Sequence, residues 1–261
     1  MEPIVEQWLA HLTAERGLSE NTRRTYARTL RTLEDPLRAT REDVEAWARS
    51  RSHLSPATRT NEIAAVRAFY RWCQVWEHRA DDPTLRLVAP KVAAGLPRPI
   101  SRADLARVLE SVPEDLRRAV CLGAYGGLRV SEAAALHWRD VDAEARRIYV
   151  TGKGGKTRAV GLSPILLDEL LPDTRANVVT GTDNAYGPDA LQRRVNRAIK
   201  AAGVNATFHQ LRHRFGTVAL GATGNLLAVS RALGHASPAT TAVYAATADS
   251  DLDVIAAAVT R

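Results

Sequence analysis

The sequence predicts a mainly α-helical fold with one small antiparallel β-sheet, arranged as two domains. Three observations carry this. Apolar residues before residue 86 recur at the helical period. A proline-rich seam without any such period follows, "RLVAPKVAAGLPRPIS", Arg86 to Ser101. Beyond the seam, a single pair of β-rich runs flanks "GKGGK", a hairpin signal, and helical patterns surround it. The expected division is a helical domain at 1–86, a linker at 87–100, and a second domain at 101–261 with a tail at 245–261.

In the first domain Val5, Trp8, Leu9 and Leu12 follow a 3.6-residue period. A second helix begins near Ser19. A third starts after Thr40, whose side chain can cap while Asp43 takes the third helical position. The fourth opens with the Ser55 cap and Pro56, and places Ile63, Val66, Phe69, Tyr70 and Cys73 on one stripe. Arg23, Arg24, Arg28, Arg59, Arg67 and Arg71 fall on the other faces, where a solvated charged surface and a DNA contact both fit.

In the second domain the runs of "RRIYVTGKGGKTRAVGLS" form the hairpin. Helices are expected at Pro164–Leu171, Pro188–Ala202, His209–Leu220 and Leu226–Leu233, then from Ser237 through Tyr244. The last apolar segment, "DLDVIAAAV", is too short to be stable alone and must dock on something.

Composition narrows the function classes. A formal charge of +7 and a pI near 9.8 suit a polyanionic partner, although many basic proteins bind no nucleic acid. No apolar run has the length of a membrane span, and the acidic, amphipathic start "MEPIVEQWLAHL" is not a signal peptide. Cys73 and Cys121 lie far apart without metal-ligand spacing, which reads as two buried thiols in a cytoplasmic chain. The basic residues are 32 arginines and four lysines (Lys91, Lys153, Lys156, Lys200), so a mechanism that needs a lysine has few candidates.

Three short stretches carry chemistry. In "TFHQLRHRFGT", His209 and Arg212 share a helix face and suit an anionic oxygen that exchanges protons, though a His- and Arg-rich surface helix fits too. In "YGGLRVSEAAALHW", Gly126 and Gly127 break one helix and leave Arg129 at the start of the next, with Glu132 one turn along to hold its guanidinium. An incidental arginine at a helical corner is the alternative. In "TGKGGKT" the end of a phosphate-binding P-loop is matched, but its first glycine would fall on Val150 and a strand follows where a helix belongs. What remains is a hairpin tip that can carry a lysine into a DNA groove or onto a phosphate. "DSDLD" fails as a calcium loop, because Val254 and Thr260 occupy the required Gly and Glu positions.

Together these pieces resemble the tyrosine recombinase (phage integrase) family, whose signature runs Arg, hairpin Lys, His-x-x-Arg, His or Trp, then Tyr. Here it reads "GLRVSE" with Arg129, "TGKGGKTR" with Lys153, "HQLRH" with His209 and Arg212, "LGHAS" with His235 and "TTAVY" with Tyr244. The resemblance implies a SAM-like core-binding domain followed by the family's catalytic domain. It implies a site-specific recombinase that acts on double-stranded DNA without cofactor or metal, through a 3′-phosphotyrosyl intermediate and a Holliday junction. Tyr244 would be the nucleophile, Arg129 and Arg212 the phosphate forks, His235 a further donor, His209 the base and Lys153 the acid, with Lys156 as its alternative. It also implies tetramers assembled through the tail on core-type sites, integration or excision of a phage or mobile element, and room for an accessory directionality factor. Because the helical pattern starts almost at Met1, arm-site bridging is not expected. Two other functions share the chemistry or the fold: a type IB topoisomerase, and a catalytically silent DNA-binding regulator.

Overall fold

The computed structural model describes residues 2–92, 98–152, 155–170, 177–180, 185–235 and 241. The chain divides into two compact units, Met1–Ala94 and Gly95–Arg261.

The first unit holds α1 (Pro3–Arg16), α2 (Glu20–Leu30), α3 (Arg41–Ser50) and α4 (Pro56–Val75). Small hydroxyl residues start three of them. The side chains of Ser19, Thr40 and Ser55 accept from the amides of Thr22, Asp43 and Thr58, and Asp43 returns the bond to complete a capping box. The α4 stripe of Ile63, Val66, Phe69, Tyr70 and Cys73 is buried. Trp8 of α1 lies at its centre, stacked on Tyr26 at 5.3 Å and edge-on to Phe69 at 5.4 Å. The segment expected to begin the linker is held here: Leu87 is buried, Arg67 donates to its carbonyl, and the Thr60 hydroxyl donates to that of Pro90. The six arginines placed off the core stripe are all outside the buried set.

The second unit is built around α6 (Glu114–Gly126), whose Leu116, Ala119, Val120, Cys121, Leu122 and Ala124 are all buried. Before it lies α5 (Arg102–Ser111), capped by Ser101, and Ile100 is already part of this core. After it come α7 (Val130–Ala135), a short 3-10 turn at Trp138–Asp140, and a three-stranded antiparallel sheet. The sheet runs β1 (Val141–Asp142), β2 (Arg147–Thr151), β3 (Thr157–Gly161), with Ile148 opposite Val160 and Thr151 opposite Thr157. The hairpin pair was legible in the sequence; β1 was not, since two residues carry no period. Four helices follow among the described residues: α8 (Pro164–Glu169), α9 (Pro188–Ala201), α10 (Phe208–Thr223) and α11 (Leu226–Leu233). Their limits match the expected ones within three residues. The expected helix from Ser237 through Tyr244 and the tail at 245–261 lie outside the described residues, apart from Thr241, which is helical and buried.

One contact sets the geometry of the site. At Gly123 a Cβ would meet the Leu211 Cβ and the Phe208 ring at 3.2 Å, so a glycine here lets α10 press against α6. That approach carries Arg212, one residue after Leu211, to the C-terminal end of α6.

Candidate active site

Arg129 occupies the N-cap of α7 because α6 stops just before it. Gly127 takes φ 64°, a left-handed turn that ends α6, and the Phe215 ring lies where a Cβ would stand, at 2.4–2.9 Å. The Arg129 amide then donates to Glu132 Oε2 at 2.7 Å, and its Nη1 donates to Glu132 Oε1 at 2.9 Å. Glu132 therefore holds both the backbone and the head of Arg129.

Glu132 holds more than that. Its side chain is 3% exposed, and Arg158 of β3 reaches it with a fork, Nη1 to Oε1 and Nη2 to Oε2, both at 2.8 Å. Arg212 Nη1 stands 3.7 Å from Oε2. Burial pushes the Glu132 pKa up, but the Arg158 fork, the Arg129 amide and the surrounding guanidinium charges outweigh it and hold the carboxyl below its usual range. Three guanidinium groups thus share one carboxylate, leaving two net positive charges in the cluster.

The same three arginines converge on the end of α11. Arg158 Nε donates to the Ala232 carbonyl at 2.8 Å, Arg212 Nη2 to Leu233 at 2.7 Å, and Arg129 Nη2 to Gly234 at 3.1 Å. A helix C-terminus exposes carbonyls and a partial negative charge, so cations gather there. Gly234 closes α11 at φ 64° and brings His235 to the rim of the cluster. Arg212 itself is 2% exposed, and its Nη1 also donates to the Gly127 carbonyl at 2.6 Å.

The three site imidazoles are held neutral. His209 and His213 pack ring to ring at 4.3 Å. Burial, then the charges of Arg212 and Arg129, sets the His209 pKa below the usual value. His213 is pushed down to about 4 by burial, then by His209 and Arg212. His235 is pushed down to about 4 by burial first, then by Arg212, Arg129 and Arg158. His235 Nδ1 lies 2.7 Å from the Thr241 hydroxyl.

An open cleft of about 770 Å³ fronts this cluster, lined by Arg129, Ser131, Thr151, Lys156, Arg158 and His235 among others. Arg129, Glu132, His209, Arg212 and His235 are thus brought around one site, while Lys153 and Tyr244 lie outside the described residues. Arg158 escaped the sequence reading, although a signal for it existed. Alternation along β3 puts it on the inward side with Val160, where a charge needs a partner.

The profile of the phage integrase family matches residues 102–251, and that of the phage integrase N-terminal SAM-like domain matches residues 5–77. The chain belongs to the tyrosine recombinases of the phage integrase family. It is 32% identical over 267 residues to the tyrosine recombinase XerC of Xanthomonas campestris pv. campestris (strain B100), spanning 92% of this chain and 83% of the relative. It is 33% identical over 277 residues to XerC of Rhodospirillum centenum, spanning 92% and 81%. Among solved structures, a dimer of λ integrase residues 75–356 bound to a COC′ core site aligns with a TM-score of 0.74. That alignment covers 90% of this chain and 94% of the other at 20% identity, a likeness of fold. The recombinase is accordingly a DNA-binding enzyme that breaks and rejoins DNA, with the two-part, mainly helical architecture that its sequence predicts. Among the described residues, no helix is long and apolar enough to cross a membrane.

Proposed function

We propose that this recombinase cleaves each strand of a core-type DNA site with Tyr244, leaving a 3′-phosphotyrosyl link and a free 5′ hydroxyl. The observation that carries the reading is the triple-arginine cluster, with two net positive charges, behind an open cleft that Arg129 and Arg158 line. A phosphodiester carries one negative charge, and the phosphorane-like transition state gathers a second. Fixed, dehydrated donors stabilise that added charge more than they stabilise the ground state.

Arg129 and Arg212 take the non-bridging oxygens. A tyrosine with a pKa of about 10 needs a base, and the neutral His209 accepts its proton. The Tyr244 oxygen bonds to phosphorus as the P–O5′ bond breaks, and its electron pair leaves on O5′, which takes a proton from Lys153 or, as the alternative, Lys156. His235 Nδ1 is paired with the Thr241 hydroxyl, and in the tautomer where that hydroxyl donates, Nε2 carries the proton and donates it toward the phosphate. The bond energy stays in the phosphotyrosine, so a 5′ hydroxyl from a second duplex reverses the step without ATP. Exchange of strands in this way passes through a Holliday junction and needs protomers on both duplexes. The tail after Tyr244 would join them in a tetramer, and an accessory factor would set direction.

The cellular role we favour is integration or excision of a phage or mobile element. A resident bacterial recombinase is the second reading, favoured by relatives named XerC from bacterial strains. The test uses nicked suicide duplexes with randomised arms, from which adducts on the protein are isolated and sequenced. Wild type is expected to capture one sequence class covalently, and Tyr244→Phe none. Plasmid relaxation without any site preference would indicate a topoisomerase, and no adduct at all a DNA-binding protein. Where the captured sequence lies, beside an element or in the host chromosome, separates the two roles.

A further inference from the structure

We propose that Arg158 is a positioning residue for strand cleavage, tying Glu132 to the C-terminal turn of α11 so that Arg129 and His235 face one phosphate. The inference rests on the active-site reading above but assigns a residue outside the family signature. Three donors of one guanidinium make three different tethers: two to the Glu132 oxygens and one to the Ala232 carbonyl, all at 2.8 Å. Arg129 and Arg212 also reach both elements, but of the three guanidinium groups Arg158 is the one that forks onto both Glu132 oxygens while it holds the α11 turn. Arg158 also lies flat against Gly234, where a Cβ would come within 3.0–3.1 Å of its guanidinium and Cδ. The left-handed glycine therefore leaves room for the arginine as well as ending the helix.

The geometry also explains why the tie matters for Arg129. Glu132 is nearly excluded from water and needs its charge matched. Because Arg158 takes both carboxylate oxygens, the Arg129 guanidinium meets the carboxylate through Nη1 alone, at 2.9 Å, and its other edge is turned toward the cleft wall, where Nη2 donates to the Gly234 carbonyl at 3.1 Å. Without Arg158, the carboxylate would draw Arg129 into the fork and compete with a phosphate for it. At the same time the turn that presents His235 would lose its anchor on Ala232. The turn itself is closed by weaker bonds, Gly234 N–H to Arg231 and His235 N–H to Ser230.

Two measurements on the full chain test this. The first needs no DNA: hydrogen exchange at the Gly234 and His235 amides. Arg158→Ala should speed it on the order of tenfold, and unchanged exchange overturns the proposal. The second uses the nicked duplex captured by wild type. Arg158→Ala should slow single-turnover adduct formation on the order of 10²-fold at saturating protein, beyond any loss of non-covalent affinity for the same duplex. An unchanged rate, or a rate loss matched by the loss of folded protein or of affinity, overturns it. Arg158→Lys keeps a charge beside Glu132 and guards against misfolding. It should also cleave slowly, since an ammonium cannot span the carboxylate and the Ala232 carbonyl together; wild-type cleavage in this variant counts against the tie. If wild type captures no duplex, the active-site reading fails, while the exchange measurement still decides whether Arg158 holds the turn.

Discussion

In the helical unit Arg23 and Arg24 are 38% and 58% exposed and reach carboxylates, Glu6 and Glu20, that are 47% and 65% exposed. In the catalytic unit Arg158 and Arg212 are 13% and 2% exposed and meet Glu132 at 3%. Residue type and partner are the same; dielectric and competition from water differ. An exposed pair is screened and costs side-chain entropy, so it contributes little to stability. A buried cluster is held by backbone carbonyls, and removing one member strands the others. These arginines are therefore of two kinds: solvated ones available to any polyanion, and fixed ones that, on the proposed function, face a single phosphate.

The contrast is broken most directly at Arg212. Arg212→Ala leaves the Gly127 and Leu233 carbonyls without that donor and is expected to cost about 3–5 kcal/mol in urea unfolding. Adduct formation on the captured duplex should fall by about 10²–10³ beyond the loss of folded protein. A variant of wild-type stability would show that the cluster is as loose as the surface pairs.

Gly234→Ala comes next. It forces a side chain into φ 64° and against the Arg158 guanidinium, for about 1–2 kcal/mol. Cleavage should slow as well, because the turn carries His235; a loss of stability with cleavage intact would separate the turn from the chemistry.

The third test is pH. His213 and His235, pushed down to about 4 by burial and neighbouring charge, stay neutral in the folded chain, whereas the unfolded chain protonates them near 6.5. Between those values the unfolded state binds more protons. Their contribution is complete above about 6.5 and drains away as pH falls toward 4. The urea midpoint of the DNA-free protein should therefore drop from pH 7 to pH 5, and drop less in His213→Asn. An equal drop in the variant would assign the effect to other groups.

The smallest effect is expected at the surface. Arg23→Ala should change unfolding free energy by under about 0.5 kcal/mol, read from the urea midpoint in low salt. A larger change would mean that the helical unit also uses arginine structurally.

Much of this was legible along the chain. The Ser and Thr caps, the α4 stripe and the glycine stop before Arg129 are local devices, acting within four residues, so their spacing shows directly. His209 and Arg212 share a face for the same reason. The limits of the linker were less legible. Leu87 and Ile100 look like isolated apolar residues in a proline-rich stretch, and only their burial in the two cores shows that the seam is held at both ends. The two-residue β1 was invisible because pairing with β2, not its own composition, makes it a strand.

The sequence by itself determined the helical period, the hairpin, the order of the signature residues and the one-turn link between Arg129 and Glu132. Tertiary structure decided that Arg129, Arg158 and Arg212 share one carboxylate and one helix end. Those contacts join residues 26, 74 and 104 positions apart. No periodicity reaches that far, and the pairing follows from α10 pressing on α6 at Gly123 and from β3 turning Arg158 inward. With Arg158 and Arg212 withdrawn from water, the cost of dehydrating each charge favours carbonyl and carboxylate partners.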